Sequence, residues 1–219
     1  MISINIEDYI QELAEQATQQ QGIEFSSLDK AEAHVKTNKT KIRSLLQQNR
    51  TMFIAGLNHL KNTPNLFVST VSKRLLKSMH SPQEIAQLLE KKIRKNPHSL
   101  EMFSEAVNSY YGNGDFHIEE CVIAVLVILF PLEPQPYACL GTLIWRKEGI
   151  SAAEAFYQSI VDVFESPVLD YFAADCFFKS GNKEQAKQLL HRALDETQKA
   201  PEDYVEIQRF LMNLSEKYT

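Results

Sequence analysis

The feature that most constrains this chain is a sequence pattern that recurs three times with a period of 34 or 33 residues. The repeating units begin at Leu100, Pro134 and Pro167. At fixed offsets each unit carries a small or slim residue, a large apolar residue and two further positions that are mostly apolar. These positions are Val107, Gly141 and Ala174; Tyr110, Ile144 and Phe177; Glu119, Ala153 and Ala186; and Leu126, Ile160 and Ala193. A period of this length predicts a stack of similar structural units.

Each unit predicts two helices joined by a turn, at Gly114-Asp115, at residues 147–149 and at residues 180–182. Small residues where two helices cross, with proline at the unit boundaries, are typical of tetratricopeptide (TPR) hairpins. The predicted fold class is therefore all-α, with three tandem TPR hairpins over about residues 100–133, 134–166 and 167–200. A C-terminal helix over residues 202–217 is expected to cap the stack, because a terminal repeat must cover an apolar end.

Local start signals agree with this period. Ser151 with Glu154 forms a capping-box pattern that predicts the start of the second helix of repeat two. Asn182 does the same for repeat three. Before the repeats, Ser81-Pro82 followed by Glu84 predicts a helix that ends near Lys95.

The N-terminal residues 1–99 also predict helices and form a separate extension in front of the TPR domain at 100–219. Residues 4–20 carry apolar side chains at helical spacing. From Leu28 onward, Leu28, Val35 and Ile42 lie seven residues apart, but Asn38 and Asn49 interrupt this apolar line. The pattern favours a helical hairpin or a dimerisation arm over a long coiled coil. A homodimer through these helices is one expected partner.

Charge is divided unevenly along the chain. Residues 1–99 carry 14 Lys/Arg against 9 Asp/Glu, whereas residues 100–219 carry 9 against 19. The stretch 36–77 has no acidic residue. It could bind nucleic acid or anionic lipid, or it could be a solvated face, or rest on the acidic half or on a dimer partner. The basic residues are dispersed, and no aromatic platform is interleaved with them. This favours a solvated face or a contact with the acidic half or a dimer partner, and it predicts no nucleic-acid partner.

The longest apolar run, residues 121–130, is half the length of a membrane span and predicts burial between helices. Three cysteines in apolar helical stretches predict free, buried thiols. No glycine-rich phosphate loop occurs. His117 beside two glutamates, and Cys176 fifteen residues from His191, lack the further groups that metal binding or nucleophilic catalysis requires. The sequence therefore predicts a protein that is not an enzyme, with no cofactor, metal site or stable membrane insertion.

Three segments carry a family resemblance: LEMFSEAVNSYYGNGDF, PYACLGTLIWRKEGISAAEAFYQSIVDVFESP and DYFAADCFFKSGNKEQAKQLLHRALDETQKAPEDY. Over residues 100–219 they resemble the class II type III secretion chaperones, the translocator chaperones of the SycD/LcrH type. The resemblance implies a chaperone in the bacterial cytoplasm. It would hold an extended segment of a hydrophobic secreted client in a concave groove and keep that client soluble and secretion-competent.

The alternatives are a TPR scaffold or assembly adaptor that binds a folded partner, or a regulator that acts through the basic stretch. The long extension favours the adaptor, since such chaperones usually have a shorter one. Whether this arm docks in its own groove stays open at this point.

In TPR stacks the first helix of each hairpin lines the concave face at four positions of the repeat. The client-binding residues implied in this way are Ser104, Asn108, Tyr111, Ala138, Thr142, Trp145, Val168, Tyr171, Asp175 and Phe178. The aromatic members would form a floor for apolar client side chains. Ser104 and Asn108 depart from the aromatic or aliphatic residues of the family, so the client preference is expected to differ.

Overall fold

The computed structural model of the 219-residue chain describes residues 11, 14–19, 27–79, 82–112, 114–164, 166–199 and 204–218. Within these residues every regular element is a helix, so the predicted all-α fold class is confirmed. The helices are α1 (Leu28–Gln48), α2 (Arg50–Leu60), α3 (Leu66–Lys77), α4 (Pro82–Leu88), α5 (Ser99–Asn108), α6 (Phe116–Leu129), α7 (Pro134–Glu148), α8 (Ile150–Ile160), α9 (Pro167–Ser180), α10 (Lys183–Lys199) and α11 (Val205–Tyr218). Helix α4 continues into a π-helical segment (Leu89–Arg94), and residues 14–19 are also helical. The number of TPR repeats stays a prediction.

Contacts between the helices divide the described residues into two compact units. Those up to Pro136 form unit 1, and those from Tyr137 onward form unit 2. Unit 1 contains the N-terminal helices together with α5 and α6, the two helices of the predicted first repeat. Unit 2 contains most of α7 and all of α8 to α11. The boundary at residue 100, which follows the repeat pattern rather than compactness, stays a prediction.

The centre of unit 1 is a close crossing between α2 and α6. Gly56 is buried there, and a Cβ atom built on it would lie 2.0 Å from the backbone oxygen of Cys121. Glycine permits this approach because it has no side chain to collide with the backbone of α6. The apolar run of α6 is buried as a consequence, with residues 121–127 all inaccessible or nearly so. In the described part of the chain, no helix combines the length and apolarity that crossing a membrane requires.

Helix α6 packs more extensively on α2 than on α5, its partner in the predicted first hairpin. At the position where the repeat pattern expects the helices of a hairpin to cross, the first unit has the buried, branched Val107, and the other two have Gly141 and Ala174. The close approach to α6 is made instead by α2 of the extension, at Gly56.

The N-terminal helices of unit 1 enclose a small core of their own. Ala14 and Ala17 pack against Ile42 of α1, and all three are fully or almost fully buried. Asn38, which the sequence treats as an interruption, is buried and donates a hydrogen bond from Nδ2 to Thr18 Oγ1 at 3.1 Å. The amide therefore has a polar partner inside the chain, so the interruption is compatible with burial. Most of the predicted helix 4–20 lies outside the described residues.

Unit 2 begins with the α7–α8 hairpin, which crosses at Gly141. A Cβ atom on Gly141 would lie 2.3 Å from the ring of Tyr157, whose hydroxyl donates a hydrogen bond to the Ala138 carbonyl at 3.1 Å. The α9–α10 pair is joined by a buried ion pair. Asp170 is fully buried on α9, and Arg192 of α10 donates to both of its carboxylate oxygens.

The helix ends correct one sequence prediction. Helix α8 begins at Ile150 after Gly149, which has a φ of 97°, so Ser151 lies inside the helix and is not its N-cap. Glu154 instead accepts a hydrogen bond from Asn182 Nδ2 at 3.2 Å. The predicted turn at 180–182 is present, with Gly181 in the left-handed conformation that favours glycine at a helix C-terminus.

Candidate functional site

The three candidate residues of the first repeat lie in unit 1, with Ser104 and Asn108 on α5 and Tyr111 outside it. Helix α5 ends at Asn108, and Tyr111 lies in the turn that follows, where its backbone N–H donates to the Asn108 carbonyl at 3.1 Å. The sequence placed Tyr111 on the helix, and this placement is corrected. Ser104 is half-buried, Asn108 is exposed, and the hydroxyl oxygen of Tyr111 is buried.

The candidates of the second repeat lie on α7 with different exposures. Ala138 is only 1% exposed, so its side chain cannot contact a bound peptide, which corrects its predicted role. Its carbonyl oxygen accepts hydrogen bonds from Thr142 Oγ1 at 2.9 Å and from the Tyr157 hydroxyl. Thr142 and Trp145 are half-buried and keep accessible surface.

The candidates of the third repeat lie on α9, and one of them is a packing residue. Phe178 is 6% exposed, because its ring stacks on the ring of Tyr218 with centroids 4.2 Å apart. Its predicted contact with a client is therefore corrected. Val168, Tyr171 and Asp175 are half-buried and keep accessible surface.

Helix α11 supplies two residues of this surface that the sequence reasoning missed. Phe210 packs against Tyr171 with ring centroids 5.8 Å apart, and the Tyr218 hydroxyl lies 3.5 Å from Asp175 Oδ1. Because Tyr171 pairs with Phe210 and Phe178 with Tyr218, α9 and α11 run in the same direction. Helix α11 thus takes the place that the first helix of a fourth hairpin would have. The sequence treated it only as a cap.

Lysine side chains connect the residues of this surface across the helices. Lys179 Nζ lies 2.5 Å from Asp175 Oδ2 and also 4.5 Å from the centroid of the Trp145 ring on α7. Lys217 Nζ lies 4.8 Å from the centroid of the Tyr218 ring on α11. A cation over an aromatic ring is attracted by the electrons of the ring face. Contacts therefore run continuously from α7 through α9 to α11 within unit 2.

We call this surface the aromatic face and define it by Trp145, Tyr171, Asp175, Phe210 and Tyr218. Burial raises the pKa of Tyr171, and the neighbouring Asp175 raises it further, so this phenol stays neutral in ordinary buffers. A hydrogen bond with Tyr218 raises the pKa of Lys217, which therefore stays charged. The face offers apolar rings for contact with side chains, together with fixed donors and one carboxylate for contact with a peptide backbone.

A cavity of about 280 Å³ adjoins the aromatic face where α9, α10 and α11 meet. Phe178 of α9, Leu190 and Leu194 of α10, and Tyr218 of α11 all line this cavity. His191, which the sequence reasoning considered as a partner of Cys176, lines this cavity. Cys176 is buried, and burial raises the pKa of its thiol to about 11. The side chain therefore stays protonated, and the protonated thiol is not the nucleophilic form.

Comparison with protein-family models, curated proteins and solved structures found no match. The resemblance to translocator chaperones accordingly rests on the residues quoted for it.

Proposed function

We propose that this protein is a chaperone of the type III secretion kind, which holds an extended apolar segment of a hydrophobic client on the aromatic face. The observation that supports this most is that Lys179 and Asp175 connect Trp145 with Tyr218, while Tyr171 packs on Phe210 of the same helix as Tyr218. Trp145 and Tyr171 are among the client contacts that the family resemblance implies, and Phe210 and Tyr218 extend the same surface onto α11.

The dimensions of the aromatic face suit a short extended segment. The axes of packed helices lie about 8–10 Å apart, so α7, α9 and α11 side by side span roughly 16–20 Å. An extended chain rises about 3.3 Å per residue. A client segment that crosses all three helices would therefore use about five or six residues.

The chemistry of the aromatic face suits an apolar client segment. Aromatic rings bury a large area at a small cost in side-chain entropy and are frequent anchors in peptide recognition. Lys179 and Lys217 could pair with backbone carbonyl oxygens of the client, which have no intramolecular partner in an extended chain. Covering such a segment would keep it from aggregating before export.

A second function is favoured by a different observation. On α11, Val205 is 66% exposed and Met212 is 59% exposed, and their spacing of seven residues places them on the same side of the helix. A TPR adaptor would use this side of α11 to bind a folded partner, and the aromatic face would then be structural.

The experiment that separates these functions is affinity capture from native cells followed by mass spectrometry. The chaperone proposal expects a hydrophobic secreted polypeptide with the wild type, and its loss when Trp145→Ala and Tyr171→Ala are combined. Phe156→Ala is the matched control, because Phe156 is a half-buried aromatic residue of α8 that is not part of the aromatic face. The adaptor expects capture of a soluble protein that Met212→Asp abolishes and the aromatic-face variant retains. Circular dichroism verifies that each variant is folded.

A further inference from the structure

Unit 1 contains a cavity of about 390 Å³ between the C-terminal end of α3 and the π-helical segment that follows α4. Four cationic side chains line it: Arg74 and Lys77 from α3, and Lys91 and Lys92 from the π-helical segment. Its volume lies in the range of small-ligand sites. None of its features is part of the aromatic face or of the function proposed for it.

The cationic side chains of this cavity are unpaired. Among the described residues, none of Arg74, Lys77, Lys91 and Lys92 makes a side-chain hydrogen bond or ion pair. Among the described side chains of the lining, Glu84 carries the one carboxylate, which accepts a hydrogen bond from the Ser78 hydroxyl at 2.8 Å. Four cations facing one carboxylate produce a positive potential that a concave surface concentrates.

The helix dipole accounts for basic residues at the ends of these two elements, but not for the cavity that they line together. Basic residues near a helix C-terminus interact favourably with the negative end of the helix dipole. This explains why α3 and the π-helical segment each end in basic residues. It does not explain why the side chains of both elements converge on one opening. The π-helical geometry is itself rare and is frequent at functional sites.

We propose that this cavity binds a phosphorylated small molecule, with its phosphate oxygens held by Arg74, Lys77, Lys91 and Lys92. Phosphate fits the lining because guanidinium and ammonium groups form short, charge-assisted hydrogen bonds with its oxygens. Four cations exceed what a single carboxylate ligand would neutralise. The exposed amide of Gln87 supplies a further donor at the rim. The phosphate group can belong to a soluble metabolite or to a lipid headgroup.

The test is isothermal titration of the full-length protein with inorganic pyrophosphate at about 0.15 M salt, where charges more than about 8 Å apart are largely screened. We expect saturable binding at one site, weakened about tenfold or more when Lys77→Gln and Lys91→Gln are combined. The matched control combines Lys73→Gln and Lys95→Gln, which removes the same charge from exposed positions outside the cavity. It should bind within about twofold of the wild type.

Glu84→Gln provides a test of opposite sign, because it removes the carboxylate that would repel a phosphate and keeps an acceptor for Ser78. We expect this variant to bind pyrophosphate several-fold more tightly. Absence of saturable binding, or equal loss in the control and the cavity variant, would overturn the proposal.

Sedimentation with vesicles identifies the source of the phosphate. If vesicles that contain phosphatidylinositol bisphosphate retain the protein and pyrophosphate releases it, the ligand is a lipid headgroup. If pyrophosphate binds and the vesicles do not, the ligand is soluble. Both results support the cavity as a phosphate site. Retention that the cavity variant leaves unchanged would contradict it.

Discussion

Replacing Gly56 with alanine should destabilise unit 1 through the crossing of α2 and α6. The new methyl group would lie 2.0 Å from the backbone oxygen of Cys121 and 2.7 Å from Val125 Cγ2. Non-bonded heavy atoms rest at about 3.5 Å, so the helices would have to separate locally by up to roughly 1.5 Å. Overpacking a core costs about 1–3 kcal/mol, and backbone that cannot rotate away puts this site at the upper end. Alanine recovers about 1 kcal/mol through its helix propensity. The expected net loss is about 2 kcal/mol or more in the free energy of unfolding.

Urea denaturation followed by far-ultraviolet circular dichroism measures this loss directly. Thr51→Ala is the control, because Thr51 is exposed on the same helix and its replacement should change stability by no more than about 0.5 kcal/mol. If Gly56→Ala were as stable as the wild type, or more stable, α2 and α6 would not be in close contact and the account of the unit 1 core would be refuted.

Three further predictions concern unit 2. Gly141→Ala should destabilise it by about 1–3 kcal/mol, since the methyl group meets the ring of Tyr157 at 2.3 Å; calorimetry that shows an increased melting temperature would contradict this. Arg192→Ala should cost about 3–5 kcal/mol in urea denaturation, because it leaves the fully buried Asp170 carboxylate without its cation; a loss below 1 kcal/mol, roughly the value of an exposed ion pair, would argue against a buried pair. The pKa of the Cys176 thiol is raised from 9.0 to about 11, so the folded state holds this proton more tightly than the unfolded state. The contribution of this thiol to stability should be complete below pH 9 and decline as the pH rises from 9 towards 11. Thiol-specific labelling of Cys176 in the folded protein should be slow, and rapid labelling at neutral pH would contradict the burial.

The sequence predicted most helix boundaries in unit 2 because local chemistry specifies them. Proline at 167 and glycine at 181 begin and end α9 close to where the repeat pattern places them. Ser151 misled because a capping pattern also occurs inside a helix, and the glycine just before it already begins α8. Local signals of this kind depend on a few neighbouring residues, which a sequence displays directly.

Long-range packing was harder to predict. The period of the repeats implied that α6 would pair with α5, and nothing in the period indicated that α2 would take the close position. Gly56 was the available signal, since a single glycine inside a helical pattern often marks a close approach of two backbones. Its partner, however, lies 65 positions along the chain at Cys121, beyond any local pattern.

The repeat offsets select Trp145, Tyr171 and Asp175, which keep accessible surface in unit 2, and their role in client binding stays a prediction. They could not tell that Phe178 is covered, because its cover is Tyr218 on a helix outside the three repeats. For the same reason they gave no role to Phe210.

The measurement that tests the proposed function most directly is site-specific photo-crosslinking in native cells. A benzophenone amino acid would replace Tyr171 in one variant and Phe156 in another, so that one probe reports on the aromatic face and the other on a half-buried aromatic position of α8 outside it. We expect a crosslink from position 171 to a short apolar segment of a hydrophobic secreted protein, with little or none from position 156. A crosslink from position 156 alone, or none from position 171 in cells that express the client, would contradict the placement of the client on the aromatic face.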